Sequence, residues 1–110
     1  MRYMMMLVRS DPEWEPISEA SPAIMEWWGG LAERGVLTGG EQLHPPGTAT
    51  TVGWDGDRPI VTDGPFMESK ESIAGYGILE VANLDAALDI AKGWPARVGY
   101  RLEIRPIVIR

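Results

Sequence analysis

Residues 60–71 read IVTDGPFMESKE, and the placement of this stretch decides the fold. A β-prone run stops at Asp63-Gly64-Pro65-Phe66 and the chain then turns polar. Upstream, residues 50–54 and 58–62 are β-prone runs separated by Asp55-Gly56-Asp57, a strong turn signal. The stretch is therefore the exit of a hairpin. Downstream, residues 75–82 (GYGILEVA) read as a strand whose Gly75 and Gly77 permit close approach by another backbone or a ligand. Asn83 or Asp85 then caps a helix with Leu84, Ala87, Leu88 and Ala91 at helical spacing, closed by Gly93-Trp94-Pro95. A last strand alternates Tyr100, Leu102 and Ile104 against Arg101, Glu103 and Arg105, and Pro106 marks an edge or a bulge.

The first half of the chain mirrors this order. Residues 2–8 are strand-length, with Tyr3, Met5 and Leu7 on one side and Met4, Met6 and Val8 on the other, so both faces want cover. A polar, proline-bearing loop covers residues 10–18. Ser21-Pro22 supplies an N-cap with proline at the first helical position, and Ser18 is an earlier possible start. Ile24, Trp27, Trp28 and Leu31 form one apolar stripe, ended by Gly35. Gly29-Gly30 in mid-helix implies either close packing or local weakness. Residues 36–43 form a short strand broken by Gly39-Gly40 and ended by His44-Pro45-Pro46-Gly47. The order is β-α-β, a hairpin insertion, then β-α-β, the split βαβ pattern of a ferredoxin-like α+β fold. Two helices cover only one face of such a sheet, so the other face calls for a partner, most simply a second copy in a two-fold homodimer.

Length and composition bound the rest. A chain of 110 residues with 45% apolar and 24% charged residues fits one globular domain, residues 1–110. A net charge of −6 argues against nucleic acid, which is held by clustered Lys and Arg. There is no Cys, so disulfides, thiolate metal sites and Cys nucleophiles are excluded. One His and scattered carboxylates make a poor metal site, and no glycine-rich loop leads into a helix to hold a phosphate-bearing cofactor. The apolar run at residues 3–8 is too short for a membrane span or a signal segment, which predicts a cytoplasmic protein.

Two residues stand out as proton carriers. Asp63 precedes Gly64-Pro65, where the chain is extended and then redirected, and it reads either as a general base or as the acceptor of an Asx-type turn. His44, the lone histidine, titrates near neutrality if unperturbed and would act only within hydrogen-bond reach of Asp63. Phe66 reads as a pocket wall or a loop plug, and Lys70 as an anion contact or a solvated edge residue. Arg105 could meet Asp63 or a ligand carboxylate, or form a surface ion pair. Tyr76 and the residues of the first strand would complete a small-molecule cleft.

The segments MRYMMMLVRSD, GVLTGGEQLHPPGTATTV, VTDGPFMESKESIAGYGILEVANLDAAL and EIRPI together resemble YCII-related proteins of the DGPF-domain type. The resemblance covers nearly the whole chain. It implies a ferredoxin-like subunit that pairs through its sheet into a dimeric α/β barrel with a small-molecule cleft. A His-Asp pair has been proposed for such clefts. Asp63 matches the motif aspartate, whereas His44 follows the second strand and the family histidine tends to sit in the early helical region. Relatives of this type often occur beside extracytoplasmic-function sigma factors, which implies a regulatory protein-interaction module as the alternative to a small-molecule-binding dimer.

Overall fold

The computed structural model describes residues 1–10, 21–65 and 72–110. Four strands form one antiparallel sheet: β1 (Arg2–Arg9), β2 (Leu37–Gln42), β5 (Ser72–Glu80) and β6 (Tyr100–Pro106), in the order β2-β5-β1-β6. Helix α1 (Pro22–Glu33) links β1 to β2, and α2 (Leu84–Ala91) links β5 to β6. Because β5 lies between β1 and β2 and runs antiparallel to both, β1 and β2 are parallel and split. The result is an α+β protein whose strand order is consistent with the ferredoxin-like arrangement. The remaining strands, β3 (Thr50–Asp55) and β4 (Arg58–Asp63), pair only with each other, in the expected inserted hairpin.

Parity in β1 sorts the sheet into two faces. Tyr3, Met5 and Leu7 are opposite Leu79, Gly77 and Gly75 of β5, and all six lie on the helix-covered face. There Met5 and Leu79 are fully buried and pack with Leu31, Ala87 and Ile90. Leu102 and Ile104 of β6 are opposite Leu7 and Met5 and close this core from the other side. The second face carries Met4, Met6 and Val8, opposite Ile78, Tyr76 and Ile73, with Arg101, Glu103 and Arg105 along β6. Neither helix covers it, and β6, with its Pro106, is an edge strand as the proline implied.

The helices start and stop on local signals. Pro22 opens α1 after Ser21, although the Ser21 side chain makes no capping hydrogen bond. In α1 the stripe is as expected, with Ile24 and Leu31 buried and Trp27 and Trp28 half-buried against the core. A Cβ built on Gly29 or Gly30 meets nothing within 4 Å, so this pair is a weak spot in the helix and not a site of close packing. Asn83, the first of the two expected caps, accepts a 3.0 Å hydrogen bond from the Ala86 N–H at the start of α2. The buried stripe of α2 differs from its spacing: Ala87 and Ile90 are buried, whereas Leu84 in the first turn is exposed. The helix is only 8 residues long, and its two buried side chains lie in its second half.

Four aromatic rings bind α1 to the segment after α2. Trp94 is buried and stands edge-on to Trp27 and to Tyr100, each at 5.2 Å between centroids, while Trp27 meets Trp28 at 5.3 Å. The Trp94 indole donates to the Ala96 carbonyl at 2.8 Å, which satisfies its buried N–H.

Candidate functional site

The residues singled out in the sequence fall in two places. Asp63 ends β4 opposite Thr50, at the foot of the hairpin, with an exposed side chain. Gly64, at φ +102°, redirects the chain there. Its N–H donates to the Ala49 carbonyl at 2.7 Å and its carbonyl accepts from Thr51 Oγ1 at 2.7 Å. The corner is thus held by backbone and Thr51, and the Asp63 carboxylate makes no hydrogen bond among the described residues. His44 is exposed in the connection between β2 and the 3-10 turn at Pro46–Thr48, and no hydrogen bond joins it to Asp63 among the described residues. Tyr76 and Arg105 lie on the helix-free face. Tyr76 is half-buried opposite Met6 and Glu41, and the exposed Arg105 donates from Nε to Glu103 Oε2 at 3.1 Å, the surface pair that its alternation allowed. Phe66 and Lys70 lie outside the described residues.

A pocket of about 280 Å³ opens elsewhere, between α1 and the β2–β5 end of the sheet. Its apolar walls are Leu7, Ile24, Met25, Trp28, Leu37 and Trp94, and its rim is polar, at Gln42 and the backbone of Glu41. The floor is backbone, because Gly40 of β2 is opposite Gly77 and Gln42 is opposite Gly75. Side chains have no room at these glycines. A Cβ on Gly77 would lie 3.0 Å from both Trp28 Cζ3 and Leu37 Cδ1, and one on Gly40, at φ +148°, would collide with the Tyr76 carbonyl.

Two register shifts frame this floor. Leu37 is opposite Leu79 and Gly39 opposite Ile78, which leaves Thr38 unpaired in β2. Leu7 is opposite Gly75 and Val8 opposite Ile73, which leaves Ala74 of β5 without a partner in β1, although its carbonyl accepts from the Leu43 N–H at 2.8 Å. Ala74 is buried and lines the pocket. Bulges concentrate next to functional sites because they re-aim side chains without ending the strand. In the sequence, Gly75 and Gly77 were visible as glycines suited to close approach, and Gly39-Gly40 as a break in the second strand. Their convergence under Trp28 depends on the β2–β5 register and was not.

Chemically the pocket offers aromatic edges and faces, aliphatic walls and one wet rim. Trp28 has no hydrogen-bond partner for its indole N–H among the described residues. At 280 Å³ it stands at the small end of ligand pockets, roughly 300–1,000 Å³. Among the described residues no group of three or more His, Asp or Glu could hold a metal ion, and no helix is long and apolar enough to cross a membrane.

A split βαβ sheet with both helices on one face, an inserted hairpin and a glycine-floored pocket defines a class of small α+β proteins. Within that class the chain belongs to the YCII-related domain family, whose model matches residues 1–108. It is also similar to an uncharacterised protein of Rhizobium meliloti, 36% identical over 81 residues, which cover 70% of this chain and 64% of that protein. The chain therefore spans less than two thirds of that relative's length.

Proposed function

We propose that the chain is a small-molecule-binding subunit whose chamber is the pocket beneath α1, suited to a small, flat, largely apolar molecule with one polar end. The observation that carries this reading is the glycine floor: two adjacent strands omit side chains where aromatic and aliphatic walls converge. The polar end would face Gln42, which is opposite Gly75 on the helix-covered face. Asp63 and His44 remain the proton carriers of this reading, supported by His44 lying two residues beyond Gln42 of the rim. The helix-free face, with Met4, Val8, Tyr76 and Ile78 half-buried and Ile73 exposed, supports pairing of two copies through the sheet.

A thermal-shift screen with flat aromatic and heteroaromatic compounds tests the chamber, because a ligand that binds only the folded state raises its apparent stability. Compounds that stabilise the wild type should lose their effect on Met25→Trp, which narrows the mouth from an exposed rim position. Equal stabilisation of both proteins would place binding elsewhere. If a hit is turned over, Asp63→Asn and His44→Gln should each abolish turnover while leaving binding intact; unchanged turnover would remove the acid–base part alone.

A further inference from the structure

We infer that the β3–β4 hairpin is an arm that docks on a second copy of this chain, onto the helix-free sheet face beside β6. This rests on the pairing of two copies proposed above and adds the element that makes the contact. The hairpin contributes no residue to either core cluster, and its strands pair only with each other. An isolated two-stranded hairpin is marginal in water and is ordered by packing against something else. The described residues have a radius of gyration of 15.8 Å, against about 13 Å for a compact chain of this length, as a projecting element requires.

One face of the arm is built for contact. Val52 is opposite Val61 and Trp54 opposite Pro59, so these four side chains share a face. Val52 is 50%, Val61 67% and Trp54 69% exposed. Trp54 alone leaves on the order of 150 Å² of ring outside, and with the valines the patch reaches the few hundred Å² that marks an interaction surface. Counted with the surface it would cover, and doubled by a two-fold axis, such a contact falls in the roughly 1,200–2,000 Å² range of stable interfaces.

Charge selects a second copy as the occupant. The arm carries Asp55, Asp57 and Asp63 against Arg58 alone, while residues 97–110 carry Arg97, Arg101, Arg105 and Arg110 against Glu103 alone. In a chain of net charge −6 this segment is net basic, and Arg101 and Arg105 lie along β6 opposite Val8 and Met4, at the border of the open face that the paired sheets leave to the arm. Each copy thus carries one acidic apolar arm and one basic sheet border along β6, which a two-fold axis satisfies twice in a closed dimer.

Sedimentation equilibrium up to about 100 µM compares wild type, Trp54→Glu, Asp57→Arg, Arg105→Asp and the Asp57→Arg/Arg105→Asp double variant. Trp54→Glu should weaken the wild-type dimer roughly 30-fold or more, as for a central aromatic anchor. Each charge reversal should weaken it, and the double variant should recover part of the loss. The substituted side chains are exposed, so urea midpoints should stay near wild type and report that folding is intact. Dimers of unchanged strength in Trp54→Glu, with no recovery in the double variant, would overturn the arm and leave sheet pairing in place. A wild-type monomer across the concentration range would overturn both.

Discussion

Gly77→Ala is the sharpest single perturbation beside the pocket, because Gly77 seats two of its wall residues, Trp28 and Leu37. An added Cβ would lie 3.0 Å from Trp28 Cζ3, 3.0 Å from Leu37 Cδ1 and 3.2 Å from Trp28 Cη2. Two opposing effects are in play. Replacing glycine in a strand interior by alanine favours the strand by roughly 0.5–1 kcal/mol through the lower entropy of the unfolded chain. Overpacking a filled core costs about 1–3 kcal/mol. Trp28 is held edge-on to Trp27 and Trp94, so its ring is not the free end of a flexible chain. The overpacking term should win, with a net loss of about 1 kcal/mol or more, or a fall in Tm of at least roughly 4 °C for a domain near this size. Urea unfolding followed by tryptophan fluorescence and far-ultraviolet circular dichroism measures it. The paired control is Gly29→Ala, where an added Cβ meets nothing within 4 Å, and which should stabilise by about 0.5–1 kcal/mol. If Gly77→Ala stabilised the protein as Gly29→Ala does, there would be room for a side chain under Trp28 and Leu37, and the account of how these two walls are seated would be wrong.

Three further outcomes follow from the same geometry. Leu79→Ala removes a fully buried side chain opposite Tyr3 and should cost about 2–5 kcal/mol by urea unfolding; a loss below 1 kcal/mol would mean that α2 does not pack there. Asn83→Ala deletes the cap on the Ala86 N–H and should cost about 1 kcal/mol, with Asn83→Asp retaining most of the stability. Trp94→Phe keeps a ring in the aromatic cluster but loses the bond to the Ala96 carbonyl, leaving a small void and an unmet acceptor; a loss of about 1–3 kcal/mol in the same assay is expected.

How much of this was legible depended on whether the deciding contacts were local. The both-sided apolar pattern of residues 2–8, the stripe through Ile24 and Leu31, the turn at Asp55-Gly56-Asp57 and the Asn83 cap are set within a few residues, and they form as read. Ile90 was missed and Leu84 misplaced because the spacing of α2 admits more than one apolar stripe and does not say which one the sheet covers. The candidate site was harder. Asp63 and His44 announced themselves by residue type, yet reactivity depends on spatial neighbours, and among the described residues they have no hydrogen bond to each other. The pocket, by contrast, contains few titratable groups to attract notice. It is floored by Gly40 and Gly75, with Gly77 beside them seating Trp28, and these converge only through pairing between strands more than thirty residues apart.

The same pairing explains why the pocket sits at this end of the sheet and not at the other. Toward the far end of β5, Leu79 fills the space under α1 and α2 and is itself fully buried, so the layers meet without a gap. Two residues earlier the helix-facing position becomes Gly77, and two earlier again Gly75. The separation between α1 and the sheet is set by large rings, Trp28 and Trp94, that rest against Gly77, Leu37 and Leu7. Rings of that size hold the helix away from strands that present only backbone, and packing cannot close the space without moving either the rings or the register. The register shifts at Thr38 and Ala74 bound this stretch at either end. A one-residue slip would exchange the faces, bringing Tyr76 and Ile78 inward and filling the chamber. The burial of Leu79 and Met5 opposes that slip, so the core at one end of β5 keeps the pocket open at the other.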